Sequence, residues 1–94
     1  MSNYSDEALL KAIGGNIRSL RLERKMSLKD LAYSIGMEAS NLSVIENGKS
    51  NPQLLTYAKI AAALSVTLQD LFTVHFDYQA FAEDPGVYTP RKHK

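Results

Sequence analysis

The sequence contains no cysteine, which excludes disulfides, thiolate metal sites and a cysteine nucleophile. It also lacks a long apolar run. The longest, Ile60 to Leu64, is far short of the roughly 20 residues that cross a bilayer as a helix. The first residues, MSNYSDEALLK, have neither the basic start nor the apolar stretch of a secretory signal, so a cytoplasmic protein with no membrane association is expected. An excess of one charge is missing too: eleven Lys and Arg against ten Asp and Glu leave a net charge of +1. A dedicated non-specific nucleic-acid binder is far more basic, so any such binding here must come from where the charges sit. Two histidines complete the inventory of scarce groups. His75 lies beside an apolar stretch and His93 in a basic tail; neither has a metal-ligand spacing or a nucleophile partner, so no catalysis, metal, cofactor or small-molecule ligand is expected.

What is present is a chain of 94 residues, 45% hydrophobic and 22% charged, which suits one compact domain around one core. The apolar residues recur at helical spacing. Ser5 followed by Asp6 and Glu7 starts a helix, because a hydroxyl takes an orphan amide and acids suit the positive end of the dipole. That helix is predicted over residues 6 to 25, burying Leu9 or Leu10, Ile13, Ile17 and Leu20, with Gly14 and Gly15 inside it as a site of close helix packing. Ser27 to Asp30 has the form of a capping box opening a short helix, whose Leu28, Leu31, Ala32 and Ile35 share one face and which Gly36 ends. A third helix over 39 to 47 buries Leu42 and Ile45 and stops at Asn47-Gly48, where glycine tolerates the left-handed conformation. Two short helices joined by a glycine turn make a helix-turn-helix. Leu54, Tyr57, Ile60, Ala61 and Leu64 mark a fourth helix, and a second capping-box form, Thr67 to Asp70, opens a fifth through Leu68, Leu71 and Phe72. Beyond it, Val74, Phe76 and Tyr78 alternate as in a strand, while Leu68, Leu71, Phe72, His75 and Phe76 continue a helical stripe; both readings stand. Residues 79 to 94 read as a flexible basic tail.

The stretches IGGNIRSLR (13 to 21), SLKDLAYSIG (27 to 36), NLSVIENGKSNP (41 to 52) and YAKIAAALSVTLQDLF (57 to 72) together resemble the phage repressor and Cro-like, or XRE, helix-turn-helix family. The order and spacing of Ile45, Glu46, Gly48 and Lys49 after a short helix is the specific part. The resemblance implies an all-α, compact five-helix lambda-repressor-like domain over residues 1 to 72, with helices 2 and 3 as the motif and 73 to 94 as a C-terminal extension. It also implies that double-stranded DNA is the partner, with helix 3 in the major groove.

Carried over by position, Glu38, Ala39, Ser40, Asn41 and Val44 would face base edges. Family members often have glutamine where this chain has Ala39, Val44 and Leu28. The surface here suits thymine methyls and groove shape more than bidentate hydrogen bonds, with Ser40 a versatile donor and acceptor, Asn41 a partner for adenine and Glu38 an acceptor from cytosine. Ser27, Leu28, Lys29, Ser43, Asn47, Lys49 and Ser50 would hold phosphates, Leu28 and Lys29 through their amides. Arg21 and Glu46 match a family ion pair that ties the reading helix to helix 1.

The function implied is a transcriptional regulator that occupies an inverted-repeat operator as a homodimer. Phage repressors, restriction-modification controllers and antitoxins share these features, and a separate sensor domain is not expected in so short a chain. The apolar residues after the family core, Val74, Phe76, Tyr78, Phe81 and Tyr88, need cover. Leu71, Phe72, Val74 and Phe76 are the candidates for a two-fold contact, with Arg91, Lys92 and Lys94 near phosphates. The competing reading is a protein-interaction module on the same fold, antitoxin-like, using Met37, Ala39 and Val44 as its surface.

Overall fold

A computed structural model of the chain describes residues 4–84. Six helices follow in order: α1 Asp6–Glu23, α2 Leu28–Ser34, α3 Ala39–Glu46, α4 Leu54–Ala63, α5 Leu68–Phe72 and α6 Tyr78–Glu83. The first starts as its sequence requires, with the Ser5 hydroxyl accepting from the Ala8 amide at 3.1 Å. It stops at Glu23, two residues before the expected end, because Lys25 turns to φ 57°. There the Met26 amide donates to the Arg21 carbonyl at 3.1 Å and the Lys25 amide to the Leu22 carbonyl at 3.0 Å, the Schellman arrangement that satisfies a helix's last carbonyls. The same pair of bonds closes α2 at Gly36, α3 at Gly48 and α4 at Ser65. One local device thus supplies all the tight turns of the motif.

Ile13 and Ile17 of α1, Leu31 and Ala32 of α2, Leu42 and Ile45 of α3, Tyr57, Ile60 and Ala61 of α4, Leu64 at its end and Leu71 of α5 form one buried core. Leu9, with Leu20, is the residue of the Leu9-Leu10 pair that packs against it. Each fully buried Leu or Ile is worth about 1.5–3 kcal/mol of apolar transfer. The two interior glycines differ. A Cβ on Gly14 would run into the carbonyl oxygens of Ile45 and Glu46, whereas one on Gly15 would meet nothing within 4 Å. Only Gly14 is therefore the close-packing site, and it lets α1 lie directly on the end of α3.

Asn16 adds a polar tie, donating through Nδ2 to the carbonyls of Asp70 and Leu71, each at 2.9 Å, and so satisfying the end of α5. Beyond Phe72 neither expected conformation holds. Thr73 leaves the helical region at φ −80°, ψ 86° and its hydroxyl turns back to the Gln69 carbonyl at 2.7 Å, which ends the stripe. No strand occurs among the described residues. The expected flexible tail instead begins as α6, capped by the Asp77 carboxylate accepting from the Ala80 amide at 2.9 Å. Phe76 packs edge-on to Tyr78 and Phe81, with ring centroids 4.7 and 5.3 Å apart. Tyr88, Arg91, Lys92, His93 and Lys94 lie outside the described residues.

Candidate nucleic-acid interface

The rear of α3 is fixed by a bidentate ion pair. Arg21 donates through Nε to Glu46 Oε2 at 2.8 Å and through Nη2 to Oε1 at 3.0 Å, and both residues are 7% exposed. A third bond, from Nη1 to the Met26 carbonyl at 2.9 Å, reaches the turn into α2, a partner that the sequence reading missed. Arg21 thus holds α1, the α1–α2 turn and α3 in one register. Its hydrogen bond to Glu46 raises the arginine pKa from an already high value, against the opposing effect of burial, so the guanidinium is charged at every working pH.

The front of α3 is open. Glu38, Ser40, Asn41 and Val44 are exposed, while Ala39 is half-buried against the core. Ala39 therefore presents only part of its methyl outward. Glu38 occupies the N-cap position with extended backbone, φ −75° and ψ 143°, and makes no side-chain cap; its exposed carboxylate has no bonding partner among the described residues.

At the start of α2 the capping box is closed in both directions. The Asp30 amide donates to Ser27 Oγ and the Ser27 amide to Asp30 Oδ2, both at 3.0 Å. The Ser27 backbone amide first, and then the Ser27 hydroxyl, hold the Asp30 carboxyl below its ordinary pKa. The box consumes the amides of Ser27 and Asp30 and leaves those of Leu28 and Lys29, the two expected at phosphates. Leu28 itself is half-buried on the core, which restricts its role to that backbone group.

After α3, Lys49 is exposed and Ser50 half-buried. The Asn47 amide group turns back onto its own helix, donating to the Ser43 carbonyl at 2.9 Å and to the Ser43 hydroxyl at 3.4 Å. The Asn47 amide is therefore occupied within its own helix, a local bond that spacing alone does not reveal, while the Ser43 hydroxyl only accepts here and keeps its own hydrogen to donate. The structure also adds Lys11, since Ser5, Glu7, Lys11, Asn47, Gly48 and Lys49 line a cleft between α1 and the loop after α3.

Residues 17–71 match the helix-turn-helix family model. The chain belongs to the XRE-type helix-turn-helix family. Within that family, it is 36% identical over 76 residues to the uncharacterized HTH-type transcriptional regulator RghRB of Bacillus subtilis (strain 168), covering 80% of this chain and 55% of that one. The match spans about half the length of this relative and of two further curated regulators. Among solved helix-turn-helix structures, the restriction-modification controller protein C.AhdI from Aeromonas hydrophila superposes with a TM-score of 0.66 at 32% identity, over 67% of this chain and 96% of that one. The controller protein C.Esp1396I, solved as a tetramer in complex with its natural 35 base-pair operator, superposes with a TM-score of 0.63 at 30% identity, over 68% of this chain and 84% of that one.

Leu71 cannot serve in the expected dimer contact. It is fully buried at 0% exposure beneath α1 and α4, so no part of it is left for a partner. Phe72 is partly buried edge-on to Tyr57, with ring centroids 5.3 Å apart, and Val74 rests on the core. Phe76 belongs to the α6 aromatic group. His75 is exposed, and no helix among the described residues is long and apolar enough to cross a membrane.

Proposed function

We propose that the chain is a sequence-specific DNA-binding transcriptional regulator of the cytoplasm, placing α3 in the major groove of an operator half-site. The observation that carries this reading is the contrast across α3: a buried bidentate pair behind, and Ser40, Asn41 and Val44 exposed in front. The operator-bound controller of the same fold supports it. Apolar and shape readout dominate, because the front carries a valine and part of an alanine in place of long amide side chains. One α3 reads only a half-site, so we infer a two-fold dimer whose reading helices lie ~34 Å apart. Phe72, the last residue of the domain, and Val74 and Phe76, in the extension that begins at residue 73, are its proposed contacts.

The test is selection of bound duplexes from a random pool, followed by titration against salt. Recovery of an A·T-rich inverted repeat, bound less tightly as salt rises, is expected. Failure to enrich any sequence, with partner-protein binding insensitive to salt, would instead identify a protein-interaction module on the same fold.

A further inference from the structure

We propose that Lys11 of α1 joins Lys49 to form a two-lysine clamp on the DNA backbone, a phosphate contact outside the helix-turn-helix itself. The proposal rests on the DNA-binding reading above and extends its footprint to a third helix. Its basis is the packing at Gly48. A Cβ on Gly48 would lie 2.6 Å from the backbone nitrogen of Lys11 and 2.9 Å from its Cβ, so the loop after α3 runs against α1 with no side chain between. Gly48 also sits at φ +70°, a conformation that favours glycine on its own account. The two constraints fix Lys11 and Lys49 on either side of one backbone position. The Lys49 amide, bonded to the Val44 carbonyl at 3.0 Å, further fixes the loop to the end of α3.

Both lysines are exposed and line the same cleft. Among the described residues the ion pairs are those of Arg21 with Glu46 and Arg24 with Glu23, so neither lysine is neutralised by a carboxylate contact. In a chain whose net charge is only +1, two cations with no carboxylate in contact, beside the open helix, are the local concentration that backbone binding needs. With the Asn47 amide turned onto Ser43, cationic side chains become the main donors at this edge. Glu7 on the cleft wall disfavours a small anion sinking in, whereas a phosphate on a duplex meets the two flexible lysines at the rim.

The test is anisotropy titration of the full chain with a random-sequence duplex over a series of potassium chloride concentrations. Lys11→Ala and Lys49→Ala should each lower the magnitude of the slope of log affinity against log salt by about 0.9, and the double variant by about 1.8. Lys59→Ala, an exposed change on α4 beside the C-terminal end of α2, should leave it unchanged. All variants should melt like the wild type. A wild-type slope in Lys11→Ala, with a reduced slope in Lys49→Ala, overturns the clamp and leaves the DNA reading intact; a wild-type chain without salt-dependent binding overturns both. Displacement of the duplex by inorganic phosphate at matched ionic strength would assign the cleft to a free anion and likewise overturn the clamp.

Discussion

The inward and outward faces of α3 are built by different rules. Inward, Leu42, Ile45 and Glu46 are buried, the carbonyls of Ile45 and Glu46 exclude any side chain at Gly14, and Arg21 grips the helix end by two bonds. Outward, Ser40 and Asn41 make no side-chain hydrogen bond among the described residues, and Val44 is 41% exposed. The inward face sets position to within a side chain's width, and the outward face leaves content free. Stability and sequence preference should therefore respond to separate sets of substitutions.

The sharpest way to break this division is at Glu46. Glu46→Ala strands a buried guanidinium and should cost about 3 kcal/mol or more, read as a lower midpoint in denaturant unfolding. Replacing both partners, Arg21→Met with Glu46→Leu, should recover much of that loss because no charge is left unpaired. A single variant as stable as wild type would mean that the pair does not hold α3.

The adjacent glycines give a smaller and more pointed contrast. Gly14→Ala forces α1 away from two carbonyls of α3 and should cost about 1–3 kcal/mol, as overpacking does. Gly15→Ala meets open space and should stabilise the chain by up to about 1 kcal/mol through helix propensity. Thermal unfolding of the two variants side by side checks the difference in sign; two losses of equal size would refute the packing at Gly14.

Acid separates the two helix starts at the front. Asp30 and Asp70 are held below their ordinary pKa by the backbone and side chains of Ser27 and Thr67. A lowered folded-state pKa means stability that is present above the unfolded value, about 3.9, and lost as the pH falls through the folded one. Acid unfolding should thus become less steep below the ordinary aspartate range in Asp30→Asn and Asp70→Asn.

How much of this was legible in the sequence depends on the range of the interaction. Helical spacing and capping residues are local, so Ser5, Ser27 with Asp30, Thr67 with Asp70, and the core from Ile13 to Leu71 could be read directly. The Arg21–Glu46 pair joins residues 25 apart in the chain, and was reached only through family resemblance. Asn16 on α5 and Lys11 beside Gly48 depend on how two helices meet, which no periodicity encodes; the glycine pair pointed to close packing, and only that meeting decides that Gly14 provides it and Gly15 does not. Leu71 was misassigned for the same reason: a leucine on a helical stripe can face the core or a partner, and only the placement of α1 against α5 decides it. The α6 helix was hidden by its shortness, since six residues hold too few turns to show a period.

The smallest expected effect sits at the tip of the outward face, in Glu38. Its carboxylate is exposed, unpaired among the described residues and placed at the first turn of the helix that would enter the groove. A negative charge there repels phosphates, and nothing on the inward face depends on it. Glu38→Gln should change folding stability by less than about 0.5 kcal/mol. It should raise affinity for a random duplex several-fold at low salt, with the gain shrinking as salt screens the repulsion. Ser40→Ala should be equally neutral to folding, yet alter which sequences are selected, since the proposed reading puts its hydroxyl at base edges. Melting, duplex titration and site selection on the same two variants test the division of α3 from its weaker side. A loss of affinity in Glu38→Gln would show that the carboxylate makes a favourable base contact, as an acceptor from cytosine would.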